Sequence, residues 1–205
     1  MPFLFFIIFA LLCLTLMHRI RYVKRKEQES MDRFWADEAK ADQVRKQDIS
    51  HLDYIYIPIE SLPFGVDSSD DVKSLEDSIK RLDDKKILNL NQYTNTELKM
   101  QYGVANLPFL TECDDRFTIL IRTLYQWACR LLDDGYTAEA IRIAEYSIDI
   151  GSDLSGIYYM LTDYYKLFED TQALSRLAES ANTLNGMYAS QIQDYVNAAL
   201  KELTN

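Results

Sequence analysis

Residues 120–184, LIRTLYQWACRLLDDGYTAEAIRIAEYSIDIGSDLSGIYYMLTDYYKLFEDTQALSRLAESANTL, read as one helical hairpin written twice at a fixed spacing. Leu124, Trp127, Ala128, Leu131, Ala140, Ile143, Ala144 and Ile148 fall over Tyr158, Leu161, Thr162, Tyr165, Leu174, Leu177, Ala178 and Asn182, and seven of the eight pairs suit a helix core. The first helix of each copy carries bulky residues at its fourth, seventh and eleventh positions. A small residue, Ala128 or Thr162, stands at the eighth, where neighbouring helices approach closely. Gly135 falls where the first helix must stop and turn. The second helix opens with Ala140 or Leu174 and proceeds in steps of three and four, which gives one apolar stripe.

This pattern, at a period of about 34 residues, resembles the tetratricopeptide repeat (TPR), a helix-turn-helix unit that stacks into a solenoid. The resemblance covers about a third of the chain, residues 118–184. It implies that the first helices line a concave face, on which Arg122, Tyr125, Cys129, Asp133, Tyr159, Asp163 and Lys166 would stand as a groove for a protein or peptide partner. Chaperone-binding relatives grip a C-terminal carboxylate with Lys and Asn at such positions. Tyr125, Cys129, Tyr159 and Asp163 stand here instead, which argues against a chaperone adaptor. Tyrosines with a mixed charge rim suit an amphipathic or basic peptide. The chain's own segment 51–64 is the other candidate occupant, and the sequence leaves both open.

Outward from the repeats, the totals bound the rest. The 205 residues leave room for one domain of ordinary size beside an N-terminal membrane segment. Five of the 22 Lys and Arg, and none of the 32 Asp and Glu, lie in residues 1–26, so the remainder carries a net charge near −15. That balance argues against a nucleic-acid binder, whose affinity comes mainly from neutralising phosphates. Three cysteines, one of them in the membrane segment, give no disulfide framework and suit a reducing compartment.

Pro2 to Met17 is apolar apart from Thr15, and His18, Arg19, Arg21, Lys24, Arg25 and Lys26 follow at once. Sixteen helical residues span about 24 Å, and Ile20, Tyr22 and Val23 extend this toward a hydrocarbon core of about 30 Å while the arginines snorkel. Nothing basic precedes the apolar run and no Ala-x-Ala follows it, so the segment reads as an uncleaved single-pass anchor over 1–23 and not as a signal peptide. With all the positive charge on the C-terminal flank, the bulk of the chain is expected on the cytoplasmic side of the cell membrane. The basic run serves as a topology determinant or also as a contact for anionic headgroups.

Residues 24–47 read as a charged stalk helix continuing from the membrane, with Phe34 and Trp35 expected to pack on the chain's own domain. Residues 48–66 read as an extended strap: Leu52, Tyr54 and Tyr56 alternate with Ile55, Ile57 and Ile59, and Pro58 and Pro63 bar a helix. Residues 67–117 form a non-repeat helical cap. Its first helix carries Val72, Leu75, Ile79 and Leu82 behind several candidate N-caps. A second helix starts at Thr94 with Glu97 as capping-box partner and ends near Gly103. Residues 106–110 are expected to turn, and Asp114 or Asp115 to cap the first repeat helix. After Asn185-Gly186, residues 185–205 carry Ile192, Tyr195, Val196, Ala199 and Leu203 as the stripe of a C-terminal capping helix.

The chemistry of a catalytic site is not legible. His18 and His51 stand outside any metal-ligand cluster, and no HExxH, CxxC, phosphate-binding glycine loop or Gly-x-Ser-x-Gly occurs. The sequence therefore predicts an all-α chain: a short TPR-like α-solenoid with a helical cap, preceded by a single transmembrane helix. It is expected to have no catalytic residue, metal, cofactor or small-molecule substrate, and to act as an interaction scaffold or adaptor. The alternative is a structural subunit or assembly factor of a membrane complex.

Overall fold

A computed structural model describes residues 2–204, and among them every regular element is helical. The α-helices are α1 (Pro2–Ala41), α2 (Asp70–Lys80), α3 (Asn95–Tyr102), α4 (Leu107–Asp133), α5 (Thr137–Asp149), α6 (Ser155–Leu167), α7 (Thr171–Asn182) and α8 (Ala189–Thr204), with a 3-10 turn over Val104–Asn106. The chain divides into two units. One comprises α1, the segment to Ile49, and Thr94–Leu107; the other comprises Ser50–Tyr93 and the chain from Pro108 onward.

In the first unit, α1 is long and apolar enough to cross a membrane. Its most apolar window has a mean hydropathy of 1.7, and no part of that window is covered by protein. The helix stops at Ala41, short of the expected stalk boundary at 47. The amides of Gln43 and Val44 close the end with short-range bonds to Lys40 and Ala41. The chain then turns to pair with the end of α3: Gln47 N–H donates to the Tyr102 carbonyl at 3.0 Å, and the Asn106 amide bridges the carbonyls of Gln47 and Tyr102 at 2.8 Å each. Gly103, at φ 86°, makes this approach possible, because a Cβ there would lie 2.4 Å from the Arg45 carbonyl oxygen. Thr94 and Glu97 form the capping box that starts α3. Lys99 reaches back to Glu38 at 2.6 Å and Asp42 at 3.0 Å, holding α3 on the end of α1. Phe34 and Trp35 do not pack into this unit as expected. They sit edge to face at 5.3 Å and remain 49% and 61% exposed, because their part of α1 has mostly charged neighbours along the helix.

The second unit has two apolar cores. One gathers Ile57 and Leu62 from the strap, Val72 and Ile79 from α2, Phe117, Leu124, Trp127 and Leu131 from α4, and Ala140 and Ile143 from α5. Phe64 lies 4.9 Å from the Trp127 ring, and Tyr146 donates to the Tyr56 carbonyl, so the strap is fastened to α4 and α5. The other core joins α5, α6, α7 and α8, with α8 packed on both α6 and α7. Ser69 caps α2, and Glu76, though buried, accepts the Gly65 N–H at 2.7 Å.

The start of α4 differs from the expectation. The helix begins at Leu107 and takes Pro108 into its first turn, where a missing N–H costs no intrahelical bond. Asp114, expected as a cap, lies well inside the helix and accepts the Leu90 N–H at 2.9 Å.

The period read from the sequence is visible in the backbone. α4 and α6 end at Asp133 and Leu167, and α5 and α7 begin at Thr137 and Thr171, so both boundaries recur at the spacing that separates Leu124 from Tyr158. The intervening turns match as well. Gly135 has φ 88° and Glu169, its counterpart in the second hairpin, has φ 55°. The next amide, of Tyr136 or Asp170, then bonds back to the carbonyl of Leu131 or Tyr165 at 2.8 and 2.9 Å.

Candidate functional site

The residues expected to form the groove stand on α4 and α6, and neighbouring helices engage most of them. Tyr125 is half-buried, its phenol against the start of α6: a Cβ at Gly156 would meet that ring at 2.5 Å. A hydrogen bond with Cys129, one turn further along α4, is the main reason the Tyr125 phenol sits above its usual pKa. On α6, the Tyr159 ring lies 4.6 Å from that of Tyr195, Asp163 accepts the Tyr195 hydroxyl at 2.7 Å, and Lys166 pairs with Glu202. Arg122 and Asp133 are exposed. The α8 side chains therefore occupy the α6 half of the face, while the strap is fastened to Trp127 and Tyr146. The three α6 residues are linked to α8 by an aromatic contact, a hydrogen bond and an ion pair.

A second surface, not singled out by the sequence reading, lies along α5 and α7. A cavity of 460 Å³ is floored by Ile148, Leu161, Ala173 and Leu177 and rimmed by Glu145, Asp149, Arg176 and Glu179. It shares Glu145 and Asp149 with a 570 Å³ cavity bounded by Pro58, Glu60, Leu62, Arg142 and Tyr146. It also shares Ile148, Glu179 and Ser180 with a 520 Å³ cavity bounded by Asn89, Asp153, Tyr158 and Asn185. The three therefore form one trough across the second unit. Five carboxylates (Glu60, Glu145, Asp149, Asp153 and Glu179) face two guanidiniums (Arg142 and Arg176). Among the described residues, no ion pair within the chain engages any of these five carboxylates.

Burial in the first place, and this excess of negative charge in the second, set the electrostatics of the trough. Burial, and then the Glu145 charge, raise the Asp149 carboxyl above the usual carboxylate value. The Tyr165 hydroxyl donates to Glu145 at 2.8 Å; burial in the first place, and this bond in the second, push its phenol well up. The bond also fixes the orientation of the Glu145 carboxylate. Burial and the nearby Asp149 do the same to the Tyr146 pKa.

The sequence carried a signal for this surface. Arg142 and Glu145 recur as Arg176 and Glu179, again one repeat further on. All four are solvent-exposed, so core packing does not require the recurrence. Among the described residues no group of three His, Cys, Asp or Glu side chains converges to hold a metal ion. No family model, no curated protein and no solved structure matches this chain.

Proposed function

We propose that this chain is a single-pass membrane protein whose TPR-like α-solenoid acts as an interaction scaffold or adaptor on the cytoplasmic side of the cell membrane. The observation that carries the reading is the recurrence, at one period, of helix boundaries and of the left-handed turn at Gly135 and Glu169, joined in one chain to an uncovered apolar helix. Repeated hairpins present surfaces instead of enclosing sites. A membrane tether makes a second encounter effectively intramolecular and so raises the local concentration of a partner. The basic flank from His18 to Lys26 supports an orientation with the bulk of the chain in the cytoplasm.

A test in cells combines protease protection of sealed vesicles, which reads the side on which residues after Lys26 lie, with a proximity-labelling census of the anchored chain. Protection of the helical region when the cytoplasmic face is exposed to protease removes the orientation. An intact mass lacking the first residues removes the anchor. A recovered partner whose association survives both Tyr125→Ala and Tyr159→Ala removes the groove. The second reading, a permanent subunit or assembly factor of a membrane complex, draws on the exposed Phe34 and Trp35 pair. It predicts an association that survives detergent and high salt and is lost on Trp35→Ala.

A further inference from the structure

The trough on α5 and α7 is a separate surface from the tyrosine face, and two independent features describe an occupant. The first is charge. The rim carries five carboxylates that no ion pair in the described chain neutralises, around a floor of apolar side chains such as Leu161 and Leu177. The second is repetition, since Arg142 with Glu145 and Arg176 with Glu179 present the same pair at one repeat spacing. Glu145 is already oriented by the Tyr165 hydroxyl, which lowers the cost of fixing it on a bound cation.

We propose that this trough binds an extended basic peptide segment, with Glu145 and Glu179 each receiving a Lys or Arg side chain and Arg142 and Arg176 donating to backbone carbonyls of the same segment. Glu145 stands on α5 and Glu179 on α7, so the two cations are separate residues of one extended segment, which advances about 3.3 Å per residue. The apolar floor then takes a small or aliphatic side chain between them. This reading needs neither the membrane anchor nor the tyrosine face, and its failure leaves the scaffold proposal standing.

The full chain is placed in nanodiscs of phosphatidylcholine, which offer no anionic headgroups to a basic probe. A fluorescein-labelled peptide with lysine at every third position among alanines and leucines is titrated by anisotropy. Saturable binding is expected, weakened about tenfold by Glu145→Gln with Glu179→Gln and unchanged by Asp83→Asn with Asp115→Asn, which removes equal charge elsewhere. The charge-reversed pair, Glu145→Lys with Glu179→Lys, is expected to reject the lysine probe and accept the same peptide carrying glutamate. No saturable binding to the unmodified chain, equal weakening in the control pair, or a lysine probe indifferent to the charge reversal overturns the proposal. A photo-cross-linking version of the probe is expected to mark α5 and α7. Marking of Tyr159 or Tyr195 instead overturns the assignment of the site.

Discussion

The two hairpin turns offer a paired perturbation whose sign is opposite at equivalent positions. Gly135 and Glu169 both hold a left-handed backbone, φ 88° and 55°, at the end of the first helix of each hairpin. A Cβ built at Gly135 meets nothing within 4 Å, so Gly135→Ala adds no clash and isolates the backbone cost. The left-handed region costs a residue with a Cβ roughly 1–2 kcal/mol. Glycine gives back about 0.5–1 kcal/mol through the greater freedom it has in the unfolded chain. The difference is about 1 kcal/mol: Gly135→Ala is expected to destabilise by that amount, and Glu169→Gly to stabilise by about as much. In a folded unit of this size, each change shifts the melting temperature by about 3 °C, in opposite directions. Thermal and urea unfolding followed by far-ultraviolet circular dichroism read both. A Gly135→Ala protein as stable as the original, or a Glu169→Gly protein that is less stable, refutes the claim that the two turns are the same left-handed stop.

Three further outcomes follow from other parts of the molecule. Gly103→Ala places a Cβ against the Arg45 carbonyl in a backbone region that favours glycine, so a loss of about 3 kcal/mol is expected. Hydrogen exchange at the Gln47 amide, which bonds the Tyr102 carbonyl, should report it. Trp127→Ala empties a fully buried site against Phe64 and is expected to cost about 3–5 kcal/mol in urea unfolding. Far-ultraviolet circular dichroism reads the transition, since the substitution removes one of the chain's two tryptophans. The third outcome concerns alkaline pH. Burial, with Asp153 second, pushes the Tyr158 phenol up to about 12 from an ordinary value of 10.0. Between these values the folded chain retains a proton that the unfolded chain releases. The stability this group contributes is therefore full below pH 10 and is lost as pH rises toward 12. The ultraviolet absorbance of tyrosinate should rise together with the loss of helix, and Tyr158→Phe should shift that loss to higher pH.

The residue pattern alone determined the helical character, the apolar first helix and the repeat spacing, because these depend on periodicities that survive without tertiary contacts. Trp127, Leu131, Leu161 and Leu177 recur at helical steps, and their burial follows from one face having to leave water. Thr94 with Glu97, and Gly103 beyond them, were legible for the same reason: a cap is a local bond between near neighbours in the chain. Element ends were less so. Pro108 reads as a turn on its own, yet the first turn of α4 accommodates it, and Asp114 is taken by the Leu90 amide from a distant segment.

The surfaces were decided only in three dimensions. Tyr159, Asp163 and Lys166 share a face by spacing, as expected, but whether that face is open depends on α8, whose Tyr195 and Glu202 contact all three. The trough needs α5, α6, α7, the strap and the segment near Asn89 at once, and no local pattern encodes a concavity built from five pieces of chain. Its charged rim was written in the sequence as the recurrence of Arg142 and Glu145 at Arg176 and Glu179. Periodicity says which residues share a side of a helix, and only packing decides whether that side is covered, bare or hollow.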